Sequence, residues 1–152
     1  MSLEAIKEVI SAFPGKWIVW TGGEPTMQLN ADIVSYFKDY KQAIETNGTN
    51  PVPKGIDYIT CSPKKEVHIQ TLKENFPQGV DEFRYPLDVT SKLPNIKDLP
   101  PALNYYVSPI FLGEAKKRFE LNDSNVQLCI DFVKQNPQWK LSLQIHKILN
   151  IR

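Results

Sequence analysis

The stretch Ile18-Val19-Trp20-Thr21-Gly22-Gly23-Glu24-Pro25-Thr26-Met27-Gln28 decides how the chain is read. The β-branched and aromatic run "KWIVWT" has the character of a strand buried on both sides, and it stops at two glycines, a glutamate and a proline. Gly22 and Gly23 lack a Cβ, so their backbone can take φ > 0 and lie directly against a ligand. Pro25 biases Glu24 toward an extended conformation, which presents main-chain carbonyls along the sheet edge. Such an edge suits an ammonium group. A phosphate cradle would need successive N–H donors, usually with more glycines and a lysine, and the stretch contains neither GxGxxG nor GxxxxGK[ST].

On the amino side of this bend, "SLEAIKEVISAF" places Leu3, Ile6, Val9, Ile10 and Phe13 on one helical face, with Ser2 as N-cap and Pro14-Gly15 as the stop. On the carboxyl side, Asn30 caps a helix that turns Ile33, Val34, Phe37 and Tyr40 inward. Strands follow at "QAIETN", "IDYITC", "DEFRYPL" and "LNYYVSPIF", with a helix in "KEVHIQTLKENF". The segment "DSNVQLCIDFVKQNP" reads as a helix capped by Asp123 or Ser124, with Val126, Cys129, Ile130 and Val133 facing in. "WKLSLQIHKIL" reads as a last strand. The Pro-rich "DVTSKLPNIKDLPPA" cannot sit inside a sheet and is expected as a surface connection. Strands separated mostly by helices argue for parallel βαβ units, hence an α/β class. Trp17, Trp20 and Trp139 are expected in the core.

Four strands are expected to end in an X-Pro step: Glu24-Pro25, Ser62-Pro63, Tyr85-Pro86 and Ser108-Pro109. Proline removes a ladder donor and holds its predecessor extended, so each step turns the chain out of the sheet. In a parallel sheet these exits share the carboxyl edge, where open sheets and barrels place their ligands.

At 152 residues the chain is long enough for one core, and residues 1–152 are expected as one domain. A net charge of +1 gives no attraction to nucleic acid or an anionic membrane. No apolar run approaches the roughly 20 residues of a membrane span, and no signal peptide is recognisable, so a cytoplasmic protein is expected. Its two cysteines, Cys61 and Cys129, fit no metal-knuckle spacing and are expected as free, buried thiols. His68 is expected at the boundary of its helix, and His146 at a strand end. Glu24 and Glu45 stand near the ends of neighbouring strands, where orienting or solvated roles outweigh acid/base chemistry.

"TGGEP" after a strand resembles the GGE motif of radical S-adenosylmethionine (SAM) enzymes, whose backbone receives the amino group of SAM. "TGGEPTMQ", "IETNGTNPVPKGIDYITCSPK" and "WKLSLQIHKILNIR" together resemble the 7-carboxy-7-deazaguanine synthase family within that superfamily. The resemblance runs from Trp17 to the end of the chain and is loose between Lys65 and Leu121. It implies a partial (β/α) barrel of mostly parallel strands. It implies SAM contacts at Gly22, Gly23, Glu24, Ser62, Pro63, Lys64 and Ser108, where Ser108 replaces the family's usual Gln-Pro. It implies pterin contacts at Thr21, His146 and Arg152. The implied reaction is ring contraction of 6-carboxy-tetrahydropterin in queuosine and deazaguanine biosynthesis, with a 4Fe-4S cluster, SAM and magnesium.

Radical SAM chemistry needs three thiolates in a CxxxCxxC loop, which normally follows the first strand, upstream of GGEP. The residues before GGEP here hold no cysteine. The expectation is therefore a fold whose amino-terminal strand and cluster loop are absent from this chain, inactive by itself. It is either the carboxyl-terminal portion of a longer enzyme or a degenerate relative. Another radical SAM member, such as a glycyl-radical-activating enzyme, is the alternative, and a non-catalytic interaction protein using an open sheet edge is a third. A homo-oligomer is left open.

Overall fold

The computed structural model describes residues 2–64, 67–111 and 121–149. The chain runs α1 (Leu3–Ser11), β1 (Trp17–Trp20), α2 (Ala31–Tyr36), β2 (Lys41–Thr46), β3 (Tyr58–Cys61), α3 (Ile69–Asn75), β4 (Val80–Leu87), β5 (Ala102–Pro109), α4 (Asp123–Gln135), β6 (Trp139–Leu141) and α5 (Ile145–Ile148). The strands form one six-stranded sheet in the order β1-β2-β3-β4-β5-β6, and every neighbouring pair is parallel. A doubly wound sheet would reverse its strand order at a switch point; a consecutive order keeps right-handed crossovers on one face and curls like part of a barrel.

Local chemistry sets the helix starts. Ser2 accepts from the Ala5 N–H at 3.3 Å, and Asn30 accepts from the Ile33 N–H at 3.0 Å, each filling an orphan donor of the first turn. On α4 that role falls to Asn122, which accepts from the Asn125 N–H at 3.1 Å, and not to Asp123 or Ser124. The helix is accordingly rotated from the expected stripe: Asn125, Cys129 and Phe132 are buried, while Val126, Ile130 and Val133 are only half-buried.

The core lies between the sheet and its helices. Cys61, Phe83, Leu87, Val107 and Trp139 from the strands meet Leu72 and Phe76 from the α3 region and Cys129 and Phe132 from α4. A second cluster gathers Leu29, Val34 and Ile44, and Val52 and Ile59 pack against both. Gln42 is buried on this face without penalty because its amide donates to the carbonyls of Val34 and Phe37 and its oxygen accepts from the Trp20 indole.

Several expectations are corrected. β1 is not buried on both sides: Trp17 is 56% and Val19 53% exposed, because these residues face away from the helices on a strand paired only with β2 among the described residues. Trp17 is thus no core residue, whereas Trp139 is. α1 buries none of its residues fully. Pro86 does not stop β4, which pairs on to Leu87. The Leu87 carbonyl faces β5, accepting from Ile110 N–H, so Pro86 faces the β3 side, beyond the last β3–β4 pair at Cys61 and Phe83. No donor is missed there. The Pro-rich connection also carries a 3-10 turn, Ile96–Asp98, and buries Leu99. After Trp139 the strand lasts only to Leu141, and His146 stands on α5, not at a strand end.

Candidate functional site

The bend leaves β1 at Trp20, on the carboxyl edge of the sheet. Gly22 has φ +133°, which side-chain-bearing residues rarely adopt. Gly23 has no such backbone demand, yet a Cβ on either glycine would meet nothing within 4 Å. Thr21, Gly22 and Gly23 are exposed. Among the described residues, the carbonyls of Gly22 and Gly23 accept no hydrogen bond. The bend is therefore an exposed stretch of backbone that neighbouring side chains do not crowd.

Glu24 locks this bend. Its Oε1 accepts from Thr26 N–H at 3.1 Å, Thr26 Oγ1 at 2.6 Å and Thr46 Oγ1 at 2.8 Å, and its Oε2 accepts from Asn47 N–H at 2.7 Å. Burial opposes its charge, but the bonds from Thr26, Asn47 and Thr46 together outweigh it and hold the carboxyl below the usual range. Glu24 and Glu45 are consequently no carboxylate pair. One side of the Glu24 carboxylate is wholly engaged with protein, while Glu45 points to the opposite face of the sheet with Thr60 and Glu82.

The Ser62-Pro63-Lys64 segment follows β3 on the same edge. Ser62 is half-buried, Pro63 buried and Lys64 exposed. The Ser62 N–H donates to the Thr46 carbonyl at 2.8 Å, so β2 physically joins this segment to the bend. Lys64, His68 and Tyr85 line a cleft of about 440 Å³ between the α3 start and the β4–β5 connection. Ser108 is buried at the end of β5, opposite Pro86. His146 is exposed beyond β6. No described contact links Ser108 or His146 to the bend, and Arg152 lies outside the described residues.

The sheet face turned away from the helices is polar, which the strand-by-strand reading missed. Glu45, Tyr58, Thr60, Glu82, Arg84, Asn104, Tyr106 and Lys140 share it by register. Arg84 pairs with Glu82 and, at 3.6 Å, with Glu45. Tyr58 Oη donates to Glu82 at 3.0 Å, and burial, then that bond, push its hydroxyl up to about 12. Arg84 Nε is buried without a hydrogen-bond partner. The signal was present: Glu82 and Arg84, two apart in "DEFRYPL", must share one face of a strand.

Cys61 and Cys129 are free and buried, as expected. Both are on the helix side of the sheet, and among the described residues no three His, Cys, Asp or Glu side chains are grouped to hold a metal. These residues do not fit a cluster that needs three thiolates. No helix among the described residues is long and apolar enough to cross a membrane.

No family model matches the chain. It is 32% identical over 151 residues to the 7-carboxy-7-deazaguanine synthase of Bacteroides thetaiotaomicron, a match covering 98% of this chain and 72% of that protein. The enzymes of the same name from Burkholderia multivorans and Haemophilus influenzae are 36% and 35% identical, covering 90% and 99% of this chain and 60% and 72% of their own lengths. The chain thus spans 60 to 72% of the length of these three relatives. With identity at this level sustained along nearly the whole chain, it belongs to the 7-carboxy-7-deazaguanine synthase family.

Proposed function

We propose that residues 1–152 act as one radical SAM-type domain that binds SAM at the Gly22-Gly23 bend and serves the ring contraction of 6-carboxy-tetrahydropterin to 7-carboxy-7-deazaguanine. The observation that carries this reading is the exposed, uncrowded backbone at Gly22 and Gly23, whose carbonyls accept no hydrogen bond among the described residues, on the carboxyl edge of a consecutive parallel sheet. They can accept from the methionyl ammonium of SAM, and a side chain at Gly23 would stand in its way. Ser62, Pro63 and Lys64 would hold the next part of the ligand and Ser108 a further one, while Thr21, His146 and Arg152 would face the pterin. When bound, SAM supplies the hydrogen-abstracting radical with which the ring contraction starts.

Cys61 and Cys129 are too few to supply the three thiolates that a 4Fe-4S cluster needs. This chain alone is therefore inactive in that reaction, and no magnesium site is assigned. The polar face bearing Glu45, Tyr58, Glu82, Arg84 and Lys140 suits a heterocycle that carries ring N–H groups and a carboxylate, because it offers acceptors and cations together.

Titration calorimetry with SAM tests the reading. Wild-type chain should bind SAM, and Gly23→Val should weaken binding by about tenfold or more while its melting temperature stays unchanged. 5′-Methylthioadenosine, which lacks the amino-acid part, should not distinguish the two proteins. Absence of heat at millimolar SAM would overturn the assignment.

A further inference from the structure

The two segments assigned to SAM leave β1 and β3, which are not neighbours. Across the intervening strand they stand roughly 10 Å apart. A single residue of β2 touches both. Thr46 is 3% exposed. Its Oγ1 donates to Glu24 Oε1 at 2.8 Å, and its carbonyl accepts from the Ser62 N–H at 2.8 Å. The same Oγ1 accepts from the Gly48 N–H at 3.1 Å. A hydroxyl has one proton to give. With Gly48 supplying a donor and Glu24 only acceptors, that proton must point at Glu24. The Glu24 carboxylate then carries the restraint to Thr26 and Asn47.

We propose that Thr46 is a positioning residue that sets the distance between the Thr21-to-Glu24 bend and the Ser62-to-Lys64 segment, and that Glu24 acts through it rather than by touching ligand. This rests on the SAM reading for the identity of what lies between the segments. It reassigns Glu24, because Thr26 and Thr46 occupy its Oε1 and the Asn47 N–H binds its Oε2, so the carboxylate is turned to the protein's own loops. A bound molecule that spans both segments senses any drift of one against the other, and small misplacements in a spanning site are costly. Valine is nearly the shape of threonine, so Thr46→Val exchanges the hydroxyl for a methyl and leaves the existing methyl in place. Serine keeps the hydroxyl.

The test combines SAM calorimetry with backbone amide exchange on the full chain, comparing wild type, Thr46→Val, Thr46→Ser, Glu24→Gln and the Thr46→Val/Glu24→Gln double variant. Thr46→Val and Glu24→Gln should each raise the SAM Kd about tenfold, the double variant should be no weaker than the worse single one, and Thr46→Ser should restore binding to within about threefold of wild type. In the ligand-free chain, exchange at the Thr26 and Asn47 amides should quicken about tenfold in Thr46→Val and not in Thr46→Ser. Binding by Thr46→Val equal to wild type would overturn the proposal and leave the SAM reading intact, as would losses that simply multiply in the double variant. No binding by wild type would sink the SAM reading instead. The restraint itself then stands or falls on exchange: unchanged Thr26 and Asn47 amides in Thr46→Val overturn it.

Discussion

Arg84 on β4 reaches across β3 to bring its Nη1 within 3.6 Å of Glu45 Oε1 on β2, while its other terminal nitrogen pairs with Glu82 on its own strand. The two carboxylates are not equivalent. Glu82 is buried and also accepts from Tyr58, whereas about half of the Glu45 side chain is exposed. A guanidinium shared between a wet and a dry carboxylate contributes mainly at the dry one, where desolvation makes an unpaired charge expensive.

Arg84→Met should therefore destabilise the chain by about 1 to 3 kcal/mol, since among the described residues it leaves Glu82 with only the Tyr58 hydroxyl. Glu45→Gln should cost under about 0.5 kcal/mol, and that small cost should shrink further in high salt. Urea unfolding midpoints at low and high ionic strength separate the two variants.

Glycine substitutions should divide by their surroundings. At Gly79, φ is +90° and a Cβ would stand 2.2 Å from the Pro101 carbonyl oxygen, which is backbone and cannot swing aside. Gly79→Ala should lose roughly 3 kcal/mol, combining left-handed strain with overpacking. Gly15 has neither problem, and Gly15→Ala should gain up to about 0.5 kcal/mol by restricting the unfolded chain. Thermal melts of both proteins check the contrast.

Acid should weaken the fold through Glu24. Its folded carboxyl titrates below the ordinary value of 4.5, so its contribution is complete above pH 4.5 and is lost as pH falls through the depressed folded value. Glu24→Gln should unfold at lower urea than wild type at pH 7, and the gap should narrow by pH 3. Asp57, held down chiefly by the Lys41 ammonium and the Gln42 N–H, moves the same way, so the variant should keep part of the wild-type pH slope. Urea midpoints measured from pH 7 to pH 3 test both statements.

Neither thiol should react in the folded protein. Burial raises Cys129 to about 11, and burial together with the Glu24 charge raises Cys61 further. At pH 8 roughly one Cys129 in a thousand is thiolate. A chromogenic disulfide should label no cysteine over minutes in native buffer and two in guanidinium chloride. Rapid native labelling of Cys61 would show that the β3 end opens.

Features set by contacts within a few residues could be read directly. Ser2 and Asn30 cap their helices because a short side-chain oxygen reaches an N–H three residues on, wherever the helix later packs. The abrupt end of β1 at Gly22-Gly23 is equally local, as is the parallel α/β class, since strands alternating with helices leave few other ways to close. The cap of α4 falls one or two residues before the expected Asp123 or Ser124 because Asn122, Asp123 and Ser124 can each accept from a first-turn donor, and the packing of Asn125 between the Val89 N–H and the Ile110 carbonyl selects the rotation.

Tertiary placement settled the rest. Whether Trp17 is core depends on what pairs with β1 and which face carries helices, and neither is written in "KWIVWT". Pro86 reads as a strand end until β3 is seen to finish below it. Arg84 finds Glu45, Tyr58 finds Glu82, and Glu24 and Thr46 become a lock only when residues more than twenty positions apart are laid side by side. A one-dimensional pattern fixes which way a side chain leaves its own strand; hydrogen bonds and charges need a partner whose distance is set by the folding of the whole sheet.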